Sequence, residues 1–156
     1  MKDIRVFLSL VVALALSACA TTSRPSMSYV APTVTASDAQ TLADDAVQHL
    51  ADPLPPARTT LVLDTPRGAN DALTASMLEK LRARGFGVTQ ADPQTGPKAD
   101  QGTPLRYLAS PLENGVVLRL QYLGREATKF YPRTADGRLL NTAPFTVREG
   151  GSTNGQ

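Results

Sequence analysis

The chain has 156 residues, with 16 lysines and arginines against 14 acidic residues, a formal net charge of +2, 5% aromatic residues and no tryptophan. A charge this close to zero gives no electrostatic basis for nucleic-acid binding, and so few aromatic side chains leave little for base stacking. A single cysteine excludes an intramolecular disulfide, so a hydrophobic core must hold the fold, and the length suits one ordinary domain with flexible ends.

Lys2 and Arg5 precede an apolar run from Val6 to Leu16 that only Ser9 interrupts. A basic start, a short apolar run and small residues before a cut site make a secretory signal segment. The run falls short of the about 20 apolar residues that a membrane-spanning helix needs. Ser17 and Ala18 lead straight into Cys19, and Leu16-Ser17-Ala18-Cys19 resembles the lipobox of bacterial lipoproteins. That resemblance implies alkylation of the thiol by diacylglycerol, cleavage before Cys19 and acylation of the new amino group. Small Ser17 and Ala18 leave room for the processing peptidase. Several acyl chains hold a protein stably where one holds it marginally. Ala20 replaces the aspartate that, by the same resemblance, retains lipoproteins in the inner membrane, so the expected address is the periplasmic face of the outer membrane. The competing reading is an ordinary signal peptide with an incidental cysteine. A free thiol kept in an oxidising compartment argues against it.

Residues 1–18 are therefore read as signal peptide, 19–36 as lipidated cysteine and flexible tether, 37–149 as the domain, and 150–156 as a disordered tail. The tether is rich in Thr, Ser, Ala and Pro and spans roughly 23 Å as a coil. Within it Tyr29-Val30 and Val34 offer an alternative, a short added strand or a docking segment. Ser37 to Gln40 reads as a capping box, and Ala39, Leu42, Ala43, Ala46, Val47 and Leu50 follow at helical spacing until Pro53 stops the helix. The run from Thr59 to Asp64 predicts a buried strand, and Thr65 to Gly68 a turn. Asn70 caps a second helix ending at Arg84, with Leu73, Met77, Leu78 and Leu81 inward and Gly85 as a left-handed stop. Phe86 begins the next strand, and the polar stretch from Ala91 to Thr103 is a loop.

Hairpin signals then crowd together. Asn114-Gly115 suits a type I′ turn and Gly124-Arg125 a type II′ turn. Val116, Leu118, Leu120 and Tyr122 alternate with wetter residues, Glu126 to Tyr131 forms the next strand, and Asp136-Gly137 turns the chain towards Leu139-Leu140 and Phe145-Thr146-Val147. Helices early and a meander late predict an α+β two-layer sandwich, two helices on a mainly antiparallel sheet of about five strands.

Chemistry-bearing patterns are weak. His49 is the only histidine, and although Asp45 and Asp52 share its helix face, nothing completes a metal shell, so no metal site is expected. Ser76 sits inside a helix without elbow glycines, Gly85-Phe86-Gly87 lacks the rest of a dinucleotide loop, and Asp44 and Asp45 diverge on their helix. No catalytic residues, no cofactor beyond the acyl groups on Cys19 and no small-molecule substrate are expected. The meander carries Arg119, Arg125, Lys129, Arg133, Arg138 and Arg148 among Tyr122, Phe130, Tyr131 and Phe145. From it we take Arg119, Tyr122, Lys129, Tyr131 and Arg133 as a partner-binding face, against the alternative of a solvated sheet face.

Several stretches together resemble the TrbH family of conjugal transfer lipoproteins. They are the lipobox at Cys19, Pro55 to Thr59 ahead of the strand, Leu81 to Val88, Gly124 to Ala127 with Tyr131-Pro132-Arg133, and Pro144 to Glu149. The resemblance implies a structural component of the mating-pair formation apparatus, a type IV secretion system, anchored at the outer membrane and touching other secretion subunits. It carries over no catalytic residue and no direct contact with nucleic acid. The alternative function is a periplasmic regulatory lipoprotein that activates an envelope enzyme such as a cell-wall synthase.

Overall fold

The computed structural model describes residues 28–67 and 71–149. In chain order it contains β1 (Tyr29–Val30), α1 (Ala36–Ala51), a 3-10 turn (Pro56–Arg58), β2 (Thr60–Leu63), α2 (Ala72–Arg84), β3 (Gly87–Gln90), β4 (Thr103–Leu112), β5 (Gly115–Tyr122), β6 (Arg125–Pro132) and β7 (Thr146–Glu149). The α+β class is as the sequence predicts. The sheet is larger, however, with seven strands in the order β3-β2-β4-β5-β6-β7 and β1 attached to β4. It is also mixed, because β1–β4, β2–β3 and β2–β4 run parallel while β4–β5, β5–β6 and β6–β7 run antiparallel. The β2–β3 pair is parallel because α2 crosses between the two strands and returns the chain in the same direction, whereas the two-residue turns that join β4 to β5 and β5 to β6 reverse it.

The long β4 holds the two halves together. Its start pairs with β2 through Leu61↔Thr103 to Leu63↔Leu105, and further along the same edge it pairs with β1 through Tyr29↔Leu108 and Val30↔Ala109. Of the segment expected to be a free tether, the described residues from Ser28 onward pack on the domain, and the short added strand at Tyr29–Val30 is what forms. Tyr107 N–H donates to Ser28 Oγ at 3.1 Å, Ala31 N–H donates to Ala109 O at 2.9 Å, and Ala31 and Val34 are buried. The free edge of β4 beyond the end of β2 supplies backbone partners that composition alone does not reveal.

Helix ends also shift. Thr35, not Ser37, caps α1: Asp38 N–H donates to Thr35 Oγ1 at 3.1 Å and Thr35 N–H to Asp38 Oδ2 at 3.0 Å, a reciprocal box two residues earlier than expected. Gln40 is left to reach Ser76 Oγ on α2 at 3.3 Å. Asp71 caps α2 through Thr74 N–H at 2.7 Å, and the predicted cap Asn70 lies outside the described residues. Gly85 ends α2 at φ 99°, as expected of a left-handed stop.

Both hairpin turns sit one residue earlier than the glycine signals suggest. Leu112 pairs with Gly115, so Glu113 and Asn114 make the first turn. Gly115 serves the strand instead, since a Cβ there would lie 2.3 Å from Tyr131 O and 2.6 Å from the Phe130 ring. Tyr122 pairs with Arg125, and Leu123 and Gly124 form the second turn at φ 47° and 68°, the left-handed pair that a type I′ turn demands. Helices α1 and α2 pack together over one face of the sheet. Fully buried Ala39, Ala43 and Ala46 let α1 lie close, and Leu42, Leu50, Leu73, Met77 and Leu81 meet Leu61, Leu63, Leu105, Leu118 and Leu120 in one core.

Candidate functional site

Leu16, Ser17, Ala18 and Cys19 lie outside the described residues. The partner face expected on the meander is within them, and the structure divides it. On β5 and β6, alternation sends Tyr122, Lys129 and Tyr131 under α1, where they are 3%, 5% and 0% exposed. Arg119 points from the opposite face, and Arg133, just past β6, turns back to the start of α1. These five residues cannot form one docking surface. Their spacing of two along β6 places Lys129 with buried Ala127 and Tyr131, a parity that outweighs the usual exposure of lysine.

What this inner set forms is a polar cluster centred on Asp45 of α1. Asp45 Oδ2 accepts from Lys129 Nζ at 2.6 Å and from Tyr131 OH at 2.5 Å, and Oδ1 accepts from Asn141 Nδ2 at 2.9 Å. Lys129 also donates to Asn141 Oδ1 and lies 5.0 Å from the Tyr131 ring centroid and 5.3 Å from that of Phe145. Burial acts to raise the Asp45 carboxyl, but the hydrogen bonds from Lys129, Tyr131 and Asn141 outweigh it and hold the group below its ordinary value. Burial, reinforced by the Asp45 hydrogen bond, pushes the Tyr131 phenol far up, so it stays a neutral donor. A buried cation whose contacts are this fully met is a structural tie between helix, sheet and the returning C-terminal arm.

His49 extends the tie. Its Nε2 is 2.9 Å from Tyr122 OH and its ring stacks on Phe145 at 4.4 Å between centroids. Burial lowers its pKa, against the opposing pull of Asp45 and Asp52. Asp45 and His49 are thus spent on protein partners, and the one-helix arrangement of His49, Asp45 and Asp52 does not converge on an ion. Among the described residues no group of three or more His, Cys, Asp or Glu could hold a metal. A second tie closes the other end of α1. Arg133 donates from Nη1 and Nη2 to the two oxygens of Asp38, each at 2.9 Å. Burial acts to raise the Asp38 carboxyl; the bonds from Arg133 and Thr35 prevail and lower it.

Sequence reading missed Asp38, Asp45 and Asn141 as partners, since each lies more than ten residues from the cation it meets. A third buried chain runs from Asp71 Oδ2 through Thr74 Oγ1 to Tyr107 OH, each step 2.6 Å. It fastens the start of α2 to β4, and Ser76 nearby accepts from Gln40. Asp71 and Thr74 line an open cavity with Leu78 and Gln90, and there the Thr74 hydroxyl is already bonded to Asp71 and Tyr107.

The face of the sheet away from the helices is the remaining surface. Register groups it into levels. Arg106, Gln121, Glu126 and Arg148 line one level, and towards the other end stand Tyr29, Leu108, Val117, Phe130 and Leu112. Tyr29 is 50% exposed, Leu112 51% and Phe130 37%.

The chain matches no curated protein and no solved structure at a significant level. A family model described as conjugal transfer protein TrbH matches residues 21–149, well over half of the chain and all of the described fold. The chain therefore belongs to the TrbH family of conjugal transfer proteins.

Proposed function

We propose that this chain is an assembly component of the mating-pair formation apparatus, a conjugative type IV secretion system, held by acyl chains on Cys19 at the periplasmic face of the outer membrane. The observation that carries the reading is the family match across residues 21–149. The geometry supports it: the polar side chains at its centre are tied to one another, as befits a rigid scaffold whose work is contact with other subunits. Among the described residues no helix is long and apolar enough to cross a membrane, and the first described residue, Ser28, follows Cys19 after eight intervening residues. Eight residues reach at most about 27 Å, so acyl chains on Cys19 keep the domain close to the bilayer.

Two measurements test the reading. Labelled palmitate is incorporated into the wild-type chain and is absent from Cys19→Ser, and the label fractionates with the outer membrane. Deletion of the gene lowers plasmid transfer in a mating assay, and the wild-type chain restores it. Unlabelled wild-type protein overturns the anchor, and unchanged transfer after deletion overturns the role in conjugation.

A further inference from the structure

Both helices cover the same face of the sheet; on the opposite face Val62 of β2 is fully buried, but the part formed by β4, β5 and β6 carries no helix. An open face of this kind ordinarily alternates to polar residues. Here one end of it is apolar: Tyr29, Leu108, Val117, Phe130 and Leu112 share that side, and three of the five are more than a third exposed. Next to them the charges do not balance. Glu126 is approached by Gln121 at 3.1 Å, Arg148 at 3.4 Å and Arg119 at 3.5 Å, one carboxylate for two guanidiniums. Among the described residues, Arg119 Nε has only the long 3.5 Å ion-pair contact with Glu126, and the hydroxyl of Thr128, directly across the strand pair, has no hydrogen-bond partner. Two guanidiniums on one carboxylate, with the Arg148 side chain largely exposed, leave one positive charge for a second anion to answer.

We propose that the helix-free face docks another protein of the transfer apparatus, one that lays apolar side chains on the Tyr29–Val117–Phe130 patch and sets a carboxylate on the exposed side of Arg119 and Arg148, beside Glu126, as the second anion this pair of cations lacks. The inference rests on the conjugation reading above and adds the surface and the chemistry of its partner. Arginine and aromatic side chains around an apolar centre are the composition of protein interfaces. A second copy centred on the same place sets Arg119 and Arg148 against themselves, and like charges oppose that isologous contact. A lipid surface suits it less well, because the excess is a single positive charge, which an anionic surface attracts only weakly, whereas one carboxylate balances it.

The test uses the full-length chain in donor cells carrying the transfer apparatus. A photocrosslinking amino acid is placed at Val117 or Phe130, with Gln48 and Arg84 on the helix side as controls. The expected result is an adduct from the sheet positions with one transfer-apparatus subunit, and none from the controls. Arg119→Glu with Arg148→Glu abolishes that adduct and lowers transfer at least about tenfold, at unchanged protein level and melting temperature. The milder pair Arg119→Gln and Arg148→Gln gives an intermediate loss, and a carboxylate-to-lysine change in the crosslinked subunit restores the double-Glu variant. Adducts to lipid or to a second copy, equal adducts from all four positions, or full transfer in the double-Glu variant overturn the proposal. Where deletion of the gene abolishes transfer but the face variants do not affect it, the surface fails and the conjugation reading stands. Where deletion itself has no effect, the reading beneath it fails.

Discussion

Replacing Asp45 by asparagine isolates what the buried cation requires. Lys129 has a side chain only 3% exposed, and its charge is answered by Asp45 at 2.6 Å, whose own side chain is 12% exposed. Removing the negative partner of such a pair leaves an unanswered buried charge and costs about 3–5 kcal/mol. The Asn141 contact and the nearby Tyr131 and Phe145 rings stay in place, so about 3 kcal/mol is expected. That corresponds to a drop of roughly 10–15 °C in Tm for a domain of this size. Lys129→Met is the informative contrast. It leaves Asp45 with the Tyr131 hydroxyl at 2.5 Å and Asn141 Nδ2 at 2.9 Å, near the surface, and puts an apolar chain of similar length in the buried slot. Its expected cost is under about 1.5 kcal/mol. Urea unfolding of the chain from Ala20 onward, for wild type, both single variants and the double variant, gives the two costs and a coupling of at least about 1.5 kcal/mol. The pH dependence has a fixed sign. The Asp45 carboxyl titrates below its ordinary 3.8, so its contribution is complete above that value and lost as pH falls through the lowered pKa, where wild type and Asp45→Asn converge. Equal costs for the two single variants, or a gap that persists at low pH, would refute the account of a cation held by a carboxylate.

Arg133→Lys loses the two-pronged contact with nearly buried Asp38 and is expected to destabilise by about 1–2 kcal/mol, read by the same urea midpoints, because one ammonium cannot span both oxygens. His49 has a pKa below its ordinary 6.5, so its neutral form stabilises the fold fully above that value; stability declines as pH falls below it and levels off beneath the folded pKa. In His49→Gln the slope of unfolding free energy between pH 7 and pH 5 flattens; an unchanged slope argues against stacking of the neutral ring on Phe145. Leu123 is 56% exposed and held at φ 47°, so Leu123→Asn relieves left-handed strain and is expected to raise stability by about 0.5–1 kcal/mol in a thermal melt. Gly102→Ala works in the other direction: at φ +136° its Cβ would lie 2.4 Å from Thr60 O, and a loss of more than about 2 kcal/mol, or failure to fold, is expected.

Local signals in the chain were enough for most elements. Apolar spacing from Ala39 to Leu50 and from Leu73 to Leu81 marks both helices, because burial on one side of a 3.6-residue period is a property of neighbours in sequence. Gly85 as a stop and the alternation from Val116 to Tyr122 are equally local. Turn positions were legible only to within one residue, since glycine at 115 answers the Phe130 ring across the strand pair and not the turn beside it. The candidate partner face was the part read least well. Arg119, Lys129 and Arg133 look alike in sequence, yet one faces the open side, one is buried under α1 and one clamps Asp38.

Composition, periodicity and the N-terminal pattern by themselves determined two amphipathic helices, an early strand, a late meander and the expectation of a lipid anchor at Cys19. All of these rest on interactions within a few residues or on the chemistry of one motif. Tertiary structure alone decided that β1 and β2 share an edge of β4, that the sheet is mixed, and that Asp45 and Asp38 collect their cations from more than eighty residues away. The physical reason is that strand pairing and burial are set by which distant segments close upon each other. A charge's environment, and hence its role, exists only once that closure has occurred.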